Sequence, residues 1–121
     1  MSDKLTKVDI ITSKGKFEEL KKALDDIGIT GMTVTNVSGC GMQKGHKEYY
    51  RGLAMDINLI PKVKVEVVVC EVPVELLVET AKKVLHTGEM GDGKIFVYDV
   101  QNVIRISTGD EGRAALQYKR S

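Results

Sequence analysis

From Pro61 to Val69 the chain takes turns between two kinds of side chain, with Val63, Val65, Val67 and Val69 on one parity and Lys62, Lys64, Glu66 and Val68 on the other. A period of two predicts a half-buried strand, and Pro61 opens it. Upstream, Lys4 to Thr12 mixes apolar positions (Leu5, Val8, Ile10, Ile11) with polar ones and reads as a first strand that stops at Ser13-Lys14-Gly15. The spacing then changes. Phe17, Leu20, Leu24 and Ile27 recur at helical intervals, with Glu18, Lys21, Lys22 and Asp25 on the opposite side, and Gly28 closes the helix as a C′ glycine does. Met32 to Ser38, rich in Thr and Val, predicts a second strand. A second helix carries Val74, Leu77, Val78, Ala81, Val84 and Leu85 as its apolar stripe and stops before Gly88. Ile95 to Val100 reads as a fourth strand and Asn102 to Ser107 as a short fifth, followed by a charged, weakly patterned tail over 108–121.

Strand, helix, strand, long connection, strand, helix, strand is the order of the ferredoxin-like split βαβ fold, an α+β sandwich of an antiparallel sheet with two helices on one face. The other face of such a sheet needs cover, which a homo-oligomer would supply. The connection from Gly39 to about Ile60 holds Gly39, Gly41, Gly45 and Gly52 around an aromatic and charged middle, Gln43 to Arg51. Connections beyond about 12 to 15 residues are functional or disordered. Tyr49, Tyr50 and the charges suit this one to docking on another surface; a role-free insertion is the alternative. Ordering so much glycine costs entropy, so Lys44 to Leu53 is expected to move unless a ligand or partner holds it.

With 121 residues, 42% of them hydrophobic, the chain supports a single domain over its whole length. Lys and Arg number 18 against 17 Asp and Glu, so no global field draws it to nucleic acid, and any anion site must be local. Cys40 and Cys70 have no metal or redox spacing, and neither His46 nor His86 has a partner at zinc-ligand spacing. There is no signal peptide and no apolar run of the roughly 18 residues a membrane span needs. The expectation is a cytoplasmic protein with reduced thiols.

The chemistry is concentrated in Thr87 to Asp99. Gly88, Gly91 and Gly93 with Asp92 and Lys94 offer backbone N–H groups and one ammonium that can close on a phosphate. Gly88 to Lys94 matches G-x-x-x-x-G-K, but Ile95 stands where a P-loop needs Ser or Thr for magnesium, and β-branched and aromatic residues come next in place of a helix. It is not a Walker A loop. Asp92-Gly93 is also a common turn signal that needs no ligand, so these residues alone leave both readings open. No acid/base or nucleophile pair is visible to support a small enzyme.

Gly28-Ile29-Thr30-Gly31-Met32-Thr33, Gly39-Cys40-Gly41-Met42-Gln43-Lys44-Gly45-His46, Tyr50-Arg51-Gly52, Pro61-Lys62-Val63-Lys64-Val65-Glu66, Thr87-Gly88 through Phe96, and Val103-Ile104-Arg105-Ile106 together resemble the PII nitrogen-regulatory signal-transduction proteins, without gaps from about Lys7 to Gly109. The resemblance implies a homotrimer with a nucleotide in each intersubunit cleft. It implies ATP or ADP as ligand, with Mg and 2-oxoglutarate in many members. It also implies a T-loop (about 39–57) that controls an ammonium transporter or a metabolic enzyme, and a switch, not a catalyst. Carried over by position, Gly91, Asp92, Gly93 and Lys94 form the B-loop (about 86–94) that holds phosphates, with Lys94 the charged contact. Arg105 reaches phosphates across the interface. Thr33, Gly41 and Val68 hold base and ribose, and Gln43 helps coordinate Mg and, with Lys62, recognises 2-oxoglutarate.

The chain departs from the family pattern at three places. Met42 stands where an arginine is usual, and so does Ser107, two positions after Arg105. Charge-assisted contacts are worth roughly 1.5 to 3 kcal/mol each, so losing two blunts the preference for ATP and lets ADP, or even AMP, compete. Leu53 and Met55 occupy the positions where some members carry a modified serine and tyrosine, so neither modification is expected there.

Overall fold

The computed structural model describes residues 4–40, 48–50, 53–55, 59–89 and 91–117. Strand β1 (Leu5–Ser13) passes through a 3-10 turn at Lys14–Lys16 into helix α1 (Phe17–Asp26). Next come β2 (Thr33–Cys40), a short hairpin of β3 (Glu48–Tyr50) and β4 (Leu53–Met55), β5 (Leu59–Val69), α2 (Val74–Leu85), β6 (Lys94–Val100) and the single-turn α3 (Arg113–Leu116). The main sheet is antiparallel in the order β2-β5-β1-β6. This is the ferredoxin-like arrangement that the alternation of periods predicts.

Register puts the core together. Val8 lies opposite Val67 on one side and Val97 on the other, and Ile10 opposite Val65 and Ile95. The even positions of β1 and odd positions of β5 thus share one face, which Leu20 and Leu24 of α1 and Leu77 and Ala81 of α2 cover completely. Gly28 has φ +95°, and the amide of Ile29 reaches back to the Leu24 carbonyl at 3.0 Å, the closing bond of a Schellman turn. Lys82 and Lys83 in the last turn of α2 complement its dipole.

The opposite face is more polar than a run of valines suggests, because only Val68 of that run points there. Lys7 bridges Glu66 at 3.1 Å and Asp9 at 3.5 Å, Lys64 bridges Glu66 at 3.6 Å, and the Lys7 ammonium sits 5.5 Å from the centre of the Tyr98 ring. Glu66 above all, then Asp9, raises the Lys7 pKa.

Three boundaries differ from the sequence expectation. The fifth strand expected over Asn102 to Ser107 is one isolated bridge, Ile104 to Glu111, because the chain turns back within a few residues and the Arg105 amide bonds the Asp110 carbonyl. The tail is not featureless: it carries α3. Gly39 and Cys40, expected in the long loop, still pair with Ile60 and Leu59, so β2 and β5 extend toward the hairpin. The mobility expected for Lys44 to Leu53 falls largely outside the described residues.

Candidate functional site

The loop 86–93 leads from α2 into β6 alongside the end of β1, and polar side chains fix its shape. The Asp92 carboxylate accepts hydrogen bonds from the Thr87 amide (2.8 Å), the Gly88 amide (3.1 Å) and the Thr87 hydroxyl, with His86 Nδ1 3.9 Å away. Asp92 therefore faces into its own loop. Its carbonyl accepts from the buried Thr12 hydroxyl at 2.8 Å, which ties the loop to the end of β1. Gly88, Gly91 and Gly93 have φ of +84°, +105° and +112°, the left-handed region that glycine alone enters without strain. Gly93 is pressed onto β1 so closely that an added Cβ would lie 1.9 Å from the Ile11 carbonyl oxygen. The loop opens into a strand, β6, and not into a helix, as the β-branched and aromatic residues after Lys94 lead one to expect.

Lys62, on β5, joins this loop: its ammonium donates to the Gly91 carbonyl at 2.6 Å. Lys94 opens β6 with its side chain exposed. Gly91, Asp92, Gly93, Lys94 and Lys62 are thus brought together at one end of the sheet. The second group lies elsewhere. Thr33, Val68, Arg105 and Ser107 line a cavity of about 1080 Å3, bounded by the turn after α1, the far end of β5 and the tail. Lys62 and Val68 are separated along one strand by about 20 Å at the usual rise per residue. Gly41, Met42 and Gln43 lie outside the described residues.

Hydrogen bonding of Asp92 by the Thr87 hydroxyl and amide, helped by Gly88 and His86 and opposed by partial burial, holds its carboxyl below the ordinary 3.8. A depressed folded value means the loop contact is complete above the unfolded pKa and lost as pH falls through the folded one. The carboxyl carbon resonance of Asp92 is therefore expected to make its main change only below the ordinary carboxylate range. An NMR titration midpoint at or above 3.8 contradicts this, and Asp92→Asn removes the transition.

Residues with no role assigned from the sequence, Thr12, Thr87, Glu71, Arg113 and Gln117, complete both ends. Thr12 and Thr87 brace the loop. At the other end the Arg105 guanidinium donates from Nη2 to the carbonyls of Ala115 (2.9 Å) and Gln117, while Arg113 Nε and Nη2 (3.0 and 2.8 Å) and Gln117 Nε2 (3.0 Å) converge on Glu71 Oε1. Hydrogen bonds from Gln117 and then Arg113, with the Arg113 charge behind them, lower the Glu71 pKa. Glu71 to Arg113 is a link over 42 positions that no local pattern announces.

Comparison with known proteins bears on the family and the fold. The family model described as nitrogen regulatory protein P-II matches residues 5–110. A nitrogen regulatory PII-like protein of Bacillus subtilis is 52% identical over 116 residues, 96% of this chain and all of its own length. The nitrogen regulatory protein P-II 1 of Escherichia coli K12 is 49% identical over 112 residues, 93% of this chain and all of its own. Among solved structures, the B. subtilis GlnK–ATP complex superposes with a TM-score of 0.81 at 48% identity, covering 96% of this chain and 99% of that one.

Proposed function

The chain belongs to the nitrogen regulatory protein P-II family of signal-transduction regulators, and we propose that it acts as a homotrimeric switch that binds ATP or ADP in clefts between subunits. The observation that carries this reading is the separation of the two groups of site residues. Lys94 with the loop glycines, and Arg105 with Thr33 and Val68, stand at opposite ends of one sheet, farther apart than a triphosphate reaches. Two copies of the chain, one presenting its loop and the other its cavity, bring both groups to one ligand. The charged, unroofed sheet face supplies a surface for that packing.

Within the cleft, the glycine loop offers amides and Lys94 an ammonium to the phosphates, and Arg105 adds a guanidinium from the neighbour. Thr33, Val68 and Gly41 flank the base and ribose. Asp92 shapes the loop from within through its carboxylate, and its backbone stands with the glycines in the loop that faces the phosphates. Gln43 with phosphate oxygens would hold Mg, a hard cation that takes oxygen donors. Lys62, poised against Gly91, gives a dicarboxylate such as 2-oxoglutarate its counter-charge. The ligand state is passed to the T-loop, whose hairpin engages a transporter or enzyme of nitrogen metabolism in the cytoplasm. The work is regulatory, without a catalytic step.

A second reading rests on Ser107. It is exposed on the cavity's tail wall where the family pattern has an arginine, which favours a sensor that reads ADP against ATP without 2-oxoglutarate and serves a different transporter or enzyme. One titration series separates the two. Calorimetry with 2-oxoglutarate at saturating Mg·ATP is expected to show micromolar binding that Lys62→Ala abolishes, and ATP is expected to bind less than tenfold more tightly than ADP. Absence of 2-oxoglutarate binding, with both nucleotides still bound, selects the energy sensor. A tenfold or larger ATP preference overturns the effect assigned to Met42 and Ser107.

A further inference from the structure

The tail of this chain is built onto the cavity that holds Arg105. Helix α3 seats the buried Ala115 against the body of the protein. From there the carbonyls of Ala115 and Gln117 take the Arg105 Nη2 donors, and Arg113 and Gln117 anchor on Glu71 across the cavity mouth. Arg105, Arg113, Gln117 and Glu71 all line the same cavity as Thr33 and Val68. Nη2 is one of the two terminal nitrogens with which a guanidinium grips a phosphate side by side.

From this arrangement we infer that the segment 113–117 is a strap that competes with the phosphates of a bound nucleotide for Arg105. The inference rests on the proposed nucleotide cleft. A phosphate that engages Arg105 in a two-pronged contact takes Nη2 from the tail carbonyls, so binding and strap release are two sides of one equilibrium. The Arg113–Glu71 pair is exposed, with side chains 35% and 55% accessible, so it adds only modestly to the strap's hold. The strap lowers nucleotide affinity by a few fold and does not block binding. Glu71, which reaches no phosphate in this scheme, sets that affinity by setting how firmly the strap is closed.

The test uses the full-length chain with ATP as probe, comparing wild type, Glu71→Ala and Arg113→Ala by calorimetry. A purely electrostatic effect at the cavity gives the two variants opposite signs, tighter binding without the carboxylate and weaker binding without the guanidinium. Release of the strap gives both the same sign, and about threefold to fivefold tighter binding is expected for each. Hydrogen exchange supplies the second readout: the amides of Ala115 and Gln117 bond the Gly112 and Ala114 carbonyls while the tail is folded. Saturating ATP is expected to speed their exchange in wild type. Weaker or unchanged binding by Arg113→Ala, or tail amides indifferent to bound ATP, overturns the strap and leaves the nucleotide cleft standing. Failure of wild type to bind ATP at all overturns the cleft, and the strap with it.

Discussion

Gly93→Ala is expected to cost about 3 kcal/mol of folding stability or more, and to abolish nucleotide binding in whatever fraction still folds. Two effects add. At φ +112° any L side chain is strained, and here the new methyl also meets backbone: the Ile11 carbonyl oxygen at 1.9 Å, its carbon at 2.9 Å and the Thr12 Cα at 3.0 Å. None of these atoms belongs to a flexible side chain, so either β1 or the loop must move. Moving the loop breaks the bond from Thr12 to the Asp92 carbonyl and shifts Lys94 at the head of β6. Gly109→Ala is the comparison, because its φ of +76° lies close to the left-handed region that L residues enter at modest cost and nothing lies within 4 Å of the new Cβ. It is expected to cost only about 1 kcal/mol. Urea unfolding midpoints of the two variants decide it. Equal shifts would mean that the close approach of Gly93 to β1 contributes nothing to stability.

Much of this framework is legible in the chain itself. The alternation from Val63 to Val69 and the helical stripes through Leu20, Leu24, Leu77 and Ala81 report burial directly, since period and face are linked by geometry. The loop glycines are legible as well, because positive φ restricts the choice of residue. Other features depend on pairings between distant segments and leave no local trace. Thr12 shares the core-facing parity of Val8 and Ile10, but it reads as one more polar residue at a strand end, and its bond to the Asp92 carbonyl, 80 positions away, leaves no local trace. The family pattern places Asp92 at the phosphates, yet its carboxylate is spent on Thr87 and Gly88. No local pattern announces that role, since an Asp side chain in a turn ordinarily bonds amides that follow it and here it bonds amides four and five positions before. The bridge at Ile104 reads as a longer strand because Val103, Ile104 and Ile106 favour a strand locally, while the bonds that turn the chain run from Arg105 to Gly109 and Asp110. The strap of Arg113 and Gln117 on Glu71 joins a tail without periodicity to a loop without a motif.

Mixing two defective variants is expected to restore binding that neither has alone. Lys94→Ala removes the cation at the loop end and Arg105→Ala the cation in the cavity, each a charge-assisted contact worth roughly 1.5 to 3 kcal/mol. Homotrimers of either variant should therefore bind ATP about 10- to 100-fold more weakly than wild type. If the cleft takes Lys94 from one subunit and Arg105 from the next, a trimer assembled from both variants contains some clefts in which the intact lysine faces the intact arginine. In a ring of three with heterologous contacts, random assembly from equal amounts makes about a quarter of the clefts native. Unfolding the two variants together, refolding them and titrating ATP should recover a high-affinity phase of about that amplitude. Mixing the folded trimers without subunit exchange should recover none. If both residues served a ligand within one chain, every subunit in the mixture would carry one lesion, and no high-affinity phase could appear. The amplitude thus tests the separation of the two half-sites directly, and it does so whichever nucleotide the cleft prefers.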